Sequence, residues 1–381
     1  MGTLLFILGI ILFILLIVVH ELGHAIAAKR NGVVVEEFGI GFPPRAWAKK
    51  LKNGVLFTLN WLPLGGFVSL KGESDDSKVK GGYGQAPLWA KVKILLAGVV
   101  MNWLTAIAIF MGLALTGMPQ ILANQFTVQG DTRIVSQKAV VAQVSDDSPA
   151  AAAGLQQGDI IKQLADRQIA GGEDLVGATT ANAGEEVRIV YERAGEQREA
   201  NVTLREAGTE GGVLGVAPGE QTLRASTWSA PIVAVGVTAQ FTWETLKGLG
   251  AALGNLFAGI AQSINVFSED SRKAGGEALT AAGASVAGPV GIVGFLMQTA
   301  ENAGLAGVLF IIAILSLTLA LMNALPIPAL DGGRLFVMLL FRAMKKPLKS
   351  ETEQKIHATG FLVLISLIIV ITFVDVGRLG G

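Results

Sequence analysis

Apolar and polar positions alternate along this chain on a coarse scale, in four long apolar runs separated by polar stretches. Residues 3–19 are apolar and continue through a short polar motif and several alanines to Ala28; the other runs are 92–117, 305–325 and 358–374. A helix needs about 20 largely apolar residues to cross a hydrocarbon core of ~30 Å, so each run predicts a membrane-spanning helix. Ala25-Ile26-Ala27 mimics a signal-peptide cleavage site. No Lys or Arg precedes the first run, as a signal peptide would require, so this segment is expected to be a retained helix.

The polar stretches differ in charge. Lys29, Arg30, Arg45, Lys49, Lys50, Lys52, Lys71, Lys78, Lys80, Lys91 and Lys93 gather between the first two runs, and Arg334, Arg342, Lys345, Lys346 and Lys349 between the last two. Positive charge marks the cytoplasmic side, which places both termini outside. The first cytoplasmic stretch reads as short strands at 33–38, 55–59 and 67–70, with Asn53-Gly54 as a hairpin turn. These strands are apolar for a cytoplasmic loop (Trp61, Leu62, Leu64, Phe67), which predicts a sheet dipping into the membrane face.

Outside, residues 140–144, 160–164, 187–191 and 200–204 read as strands of a compact domain of about ninety residues ending near Pro218. Ser148 to Leu155 reads as a loop entering a short helix. Residues 227–264 carry apolar positions at helical spacing and predict an amphipathic helix pair on the outer membrane surface. Residues 268–283 are polar and glycine-rich, a flexible link. The expected fold is a polytopic α-helical membrane protein with about four transmembrane helices, a membrane-associated β region and one extracytoplasmic α+β domain. The expected segments are 1–29, 30–91, 92–117, 118–219, 220–304, 305–333, 334–357 and 358–376.

Composition agrees with a membrane protein. Of the 381 residues 51% are hydrophobic and 16% charged. Lys plus Arg and Asp plus Glu balance at 30 each, which gives no ground for nucleic-acid binding. Cysteine is absent, so disulfides and thiolate metal sites are excluded, and a metal must use histidine and carboxylate.

The chemistry sits at the cytoplasmic ends of two runs. His20-Glu21-Leu22-Gly23-His24 follows the first. On a helix the two histidines share a face and can hold one zinc ion, leaving Glu21 as general base. A catalytic zinc takes a third protein ligand. Asp331 follows the third run at the same membrane level and supplies that carboxylate; alone, it reads equally well as the cap of a helix starting at Gly332. Asn102 is the one polar side chain deep in the second run and a possible donor to an oxyanion. Pro326 and Pro328 break the helix before Asp331 and Asn323 adds an amide, features suited to holding an unwound substrate. His357 stands alone before the fourth run.

On these residues the chain resembles the bacterial site-2 proteases, with the sigma-E-protease branch nearest. The resemblance covers nearly the whole chain. His20-Glu21-Leu22-Gly23-His24 is similar to the family's zinc motif and Leu330-Asp331-Gly332 to its second motif; Asn323, Pro326 and Pro328 match substrate-contacting positions. Phe38-Gly39-Ile40-Gly41-Phe42 and Pro63-Leu64-Gly65-Gly66-Phe67-Val68 resemble its membrane-embedded β region. Ser148-Pro149-Ala150 through Leu155, with Gly158-Asp159-Ile160-Ile161, resembles the PDZ pattern of proteases, and Gly212 to Pro218 the strand closing its peptide groove. There are two departures. One PDZ-like domain is present rather than two, and Val99 stands where the family usually has proline after Gly98. The resemblance implies an intramembrane zinc endopeptidase that cuts single-span membrane proteins, such as anti-sigma factors or remnant signal peptides, with the PDZ-like domain as a size gate. The competing classes are a silent membrane scaffold, which has no use for Glu21 beside the ligand trio, and a metal transporter, which needs charged residues in several spans.

Overall fold

A computed structural model of the chain describes residues 2–193, 195–263 and 288–379. The predicted link at 268–283 lies outside the described residues. In chain order the elements are α1 (Gly2–Arg30), β1 (Val35–Lys50), β2 (Leu56–Leu70), α2 (Leu88–Thr116), β3 (Met118–Pro119), β4 (Arg133–Val144), α3 (Pro149–Ala152), β5 (Ile160–Leu164), β6 (Arg167–Gln168), α4 (Gly172–Ala181), β7 (Glu186–Arg193), β8 (Glu196–Thr203) and β9 (Val216–Ala225). Then come the helices α5 (Ala230–Ser263), α6 (Pro289–Asn302), α7 (Gly304–Ala324), α8 (Asp331–Ala343) and α9 (Ser350–Leu379). Among the described residues, α1, α2 and α7 are long and apolar enough to cross a membrane. The fourth predicted run falls within α9.

The chain forms two compact units. One is built mainly from Ile109–Val237 with Leu296–Ile311. Its seven-stranded sheet has the order β3-β9-β4-β5-β7-β8, with β6 on β5. Val141, Ile161, Leu164, Leu175, Ala178 and Ile189 form its core. Ser148 caps α3 by accepting from the Ala151 N–H (3.1 Å), with Pro149 at the first helical position. Asp159 is almost fully buried and takes Arg193 Nε and Nη2 on its two oxygens, each at 2.7 Å. Asp131 accepts from the backbone N–H and hydroxyl groups of Thr227 and Ser229 at the entry to α5. These hydrogen bonds hold its carboxyl below the usual carboxylate range. The final strand does not stop near Pro218. β9 pairs with β4 from Val216 to Ala225, because a polar strand still satisfies its backbone along a ladder.

The helix pair expected over 227–264 is one helix, α5. Gly248, Gly250 and Gly254 each weaken a helix by about 1 kcal/mol relative to alanine but do not break it, and no proline follows Pro231 inside it.

The second unit contains Gly9–Ala108 and the helices after Ile312. α1 is a Leu/Ile run without proline. It ends where Gly32 adopts φ +76° and the Val33 N–H returns to Ala28 O at 2.9 Å. The Asn53-Gly54 hairpin forms, with the Leu51 N–H donating to Val55 O at 2.8 Å. The expected short strands are instead two long bent ones. Residues 35–40 pair on one side with 66–70 and on the other with 56–59, and 56–60 pair in turn with 45–50. Gly39, Gly41 and Gly65 lie between the expected strands but inside the long ones. Gly41 (φ +77°) and Gly65 (φ +101°) take a backbone conformation that other residues rarely adopt.

Candidate metal centre

Two helical turns and one helix start build the site. His20 and His24 are four apart on α1 and share a face. Asp331 opens α8. It is not the cap of that helix: Leu330 occupies the cap position, and the Asp331 carboxylate turns to the histidines instead. Asp331 Oδ2 lies 3.1 Å from His20 Nε2 and 3.1 Å from His24 Nε2, and the two Nε2 atoms are 3.2 Å apart. A tetrahedral zinc with bonds of about 2.05 Å spaces its ligands at about 3.3 Å, so this triangle has the size of one face of a zinc tetrahedron. Among the described residues these three form the one such cluster of possible metal ligands.

The partners on the far side of each ring decide what the Nε2 atoms offer. His24 Nδ1 is 2.7 Å from Ile94 O. A carbonyl only accepts, so Nδ1 carries the hydrogen and Nε2 presents a lone pair. Asn102 is fully buried with its amide 3.3 Å from His20 Nδ1, and its Oδ1 is buried without a partner. Turning the amide over lets Oδ1 accept from Nδ1–H, which satisfies the orphan oxygen and leaves His20 Nε2 free as well. Two imidazole lone pairs and a carboxylate then converge on one point, the donor set zinc takes.

Glycines make room for the site. A Cβ on Gly98 would stand 2.5 Å from both His20 Cε1 and His24 Nε2, in the cradle of the three ligand atoms. Gly23 lets α1 approach α2, since a Cβ there would lie 2.6 Å from Ala97 O. Gly332 and Gly333 let the start of α8 lie against residues 324–328, where added Cβ atoms would meet Ala324 O at 2.3 Å and Ile327 O at 1.9 Å. Glu21 is partly buried, and Gly66 of β2 packs over it; a Cβ there would lie 3.2 Å from Glu21 Cγ.

The remaining expected residues lie on the segment before Asp331. Asn323 donates to Leu319 O (3.0 Å), Pro326 is exposed, and Pro328 lies under Gly360 of α9. Sequence reasoning missed Gly98 and Gly66. The close spacing of Gly98 and Asn102 on α2 was the available signal for the first, and the double glycine of β2 for the second.

The model of peptidase family M50 matches residues 8–367 of the chain. Curated relatives match it end to end. A chain named as a zinc metalloprotease in Clostridium perfringens is 29% identical, with 97% of each chain covered. The regulator of sigma-W protease RasP of Bacillus subtilis is 26% identical, again over 97% of each. The zinc metalloprotease RasP of Oceanobacillus iheyensis is 27% identical over 97% of this chain and 98% of its own length.

Proposed function

We propose that this chain, which belongs to peptidase family M50, cleaves the membrane segments of single-span proteins, with His20, His24 and Asp331 holding zinc and Glu21 as base. It is a zinc metalloprotease and a bacterial membrane protein. The observation that carries the reading is the convergence of the three ligand atoms beside a membrane-length helix, with a carboxylate next to the first ligand.

Zinc, when bound, lowers the pKa of a water toward ~7 and polarises a carbonyl. The protein's own groups do the rest. Glu21 takes a proton from the attacking water and passes it to the departing amine. Ile94 O and Asn102 fix the two rings, so Asn102 is a residue that orients His20 rather than a donor to the oxyanion. A transmembrane helix hides its carbonyls in hydrogen bonds, so the substrate must be unwound to be cut. Asn323 and Pro326 offer it polar and exposed surface, and β2 runs past Glu21 at Gly66, where an extended strand can pair. The positive-inside bias supports a cytoplasmic position for this end of α1, with both termini outside and α9 as a fourth span. Phe42, Trp47, Trp61 and Leu62 are exposed on the β1–β2 sheet, as suits a sheet in contact with lipid.

Asp331→Ala is expected to remove most of the bound zinc and to end cleavage of a single-span reporter in detergent. Metal content by elemental analysis checks this, and an unchanged zinc stoichiometry would remove Asp331 from the ligand set. The outer α+β unit fits a PDZ-like gate for substrates already shortened by another protease. The Bacillus subtilis relative is named a regulator of sigma-W protease, which supports anti-sigma factors as the substrate class. In a reporter series with outer domains of increasing size, cleavage is expected to fall as the domain grows. Equal cleavage across the series would leave the unit a tether and not a gate.

A further inference from the structure

Three residues of α9 lie at i, i+4 and i+7, on one face, and each reaches the segment that carries Asp331. Glu353 accepts from Arg334 Nε at 3.0 Å, and Arg334 stands one turn after Asp331 on α8. His357 Nδ1 accepts from the backbone N–H of Ala329 at 3.1 Å. Gly360 lies on Pro328, so closely that a Cβ would be 2.4 Å from Pro328 O.

The middle contact falls at a strained place. Ala329 has φ +83°, a conformation that residues other than glycine avoid, two residues before Asp331. Such a turn persists only where its surroundings hold it. Pro326 and Pro328 have no N–H to give, and the N–H groups of Leu325, Ile327 and Leu330 bond to carbonyls within residues 322–327, whereas that of Ala329 goes to His357. The ring of His357 makes its bond there and nowhere else among the described residues, since its Nε2 is buried without a partner. The Arg334 end is anchored further: Nη1 meets Glu73 Oε1 at 2.8 Å, and the guanidinium lies 4.9 Å from the ring centre of the buried Tyr83. Glu353 Oε2 also accepts from the Asp75 N–H at 3.0 Å, which ties the same face to the loop after β2.

We infer that the Glu353–His357–Gly360 face of α9 is a brace that fixes the Asp331 carboxylate at the metal, and that His357 is a positioning residue for zinc binding. It touches neither ligand nor substrate and acts through the Ala329 backbone. The inference rests on Asp331 being the third ligand.

The test follows zinc loss from the purified full-length protein to an excess of a chromophoric chelator. His357→Leu keeps the bulk and removes the acceptor. His357→Asn keeps an acceptor oxygen on Cγ, where Nδ1 stood. Residues that orient metal ligands typically alter metal affinity by about 10–100-fold. His357→Leu is therefore expected to lose zinc at least ~10-fold faster than wild type, with His357→Asn within about threefold of it. Gly360→Ala presses on Pro328 from the same face with His357 in place, and must also speed zinc loss. Wild-type retention by both His357→Leu and Gly360→Ala would overturn the brace. Equal loss by the leucine and asparagine variants would overturn the hydrogen bond as its means. Asp331→Ala, run alongside, separates the two failures: if it holds zinc, the ligand assignment falls and not the brace alone.

Discussion

Glu21→Gln is expected to keep its zinc and to cut a single-span reporter at least about 10²–10⁴-fold more slowly than wild type, the range general-base groups contribute. The substitution changes almost nothing in shape. Glu21 is beside His20 in sequence but points off the face shared by His20 and His24, so its loss leaves the ligand triangle of 3.1, 3.1 and 3.2 Å intact. What it loses is a carboxylate that can accept a proton. A glutamine amide cannot act as a base near neutral pH, so the attacking water keeps its proton and the departing amine receives none. Zinc content and reporter cleavage should be measured on one preparation. Retained zinc with lost cleavage is the expected pair; undiminished cleavage would show that another group is the base.

Gly98→Ala should have an effect of comparable size through a different physical route. The added Cβ enters the space among the ligand atoms, 2.5 Å from His24 Nε2 and 2.6 Å from His20 Nε2. Real Cβ atoms do not approach other atoms so closely, so something must move. α2 has little freedom to withdraw. His24 holds Ile94 O, Ser316 of α7 donates to Asn102 O at 2.8 Å, and Gly23 rests against Ala97. The imidazoles must therefore shift, and a shift beyond the tolerance of about 0.2 Å in zinc–ligand distance weakens binding at such a site. Overpacking of a core costs about 1–3 kcal/mol, which a membrane bundle of this size survives folded. Zinc content is expected to drop below about a tenth of wild type while the helical circular dichroism is kept. Gly112→Ala is the control. It lies on the same helix, gains the same ~1 kcal/mol of helix propensity, and has open space around the new methyl. If Gly98→Ala binds zinc as Gly112→Ala does, the cradle is not what the distances describe.

Much of this was legible in the sequence because two physical signals are local. Long apolar runs report helices of membrane-crossing length, as α1, α2 and α7 are, and the spacing of His20 and His24 reports one helix face. Asp331 is expected beside the histidines from a less local signal, the charge bias near both helix ends, and its carboxylate lies 3.1 Å from both Nε2 atoms. Other features had no such signal. Gly98 looks like any small residue in a membrane helix, and only its placement against two rings gives it a role. Nothing in a linear sequence shows that the Asn102 amide faces His20 Nδ1. Polar residues hid the second half of β9, and glycines inside a strand resemble glycines that end one. His357 and Ala329 are 28 residues apart with no periodicity linking them, so their hydrogen bond was invisible before the fold was known.

Zinc K-edge absorption on the purified protein reports the metal's ligands without relying on catalysis. A site of His20, His24 and Asp331 is expected to give a four-coordinate spectrum with two imidazole nitrogens and oxygen neighbours at about 2.0–2.1 Å, with the imidazole signature lost in a His20→Ala, His24→Ala double variant. A six-coordinate, water-dominated spectrum, or one that the double variant leaves unchanged, would contradict it.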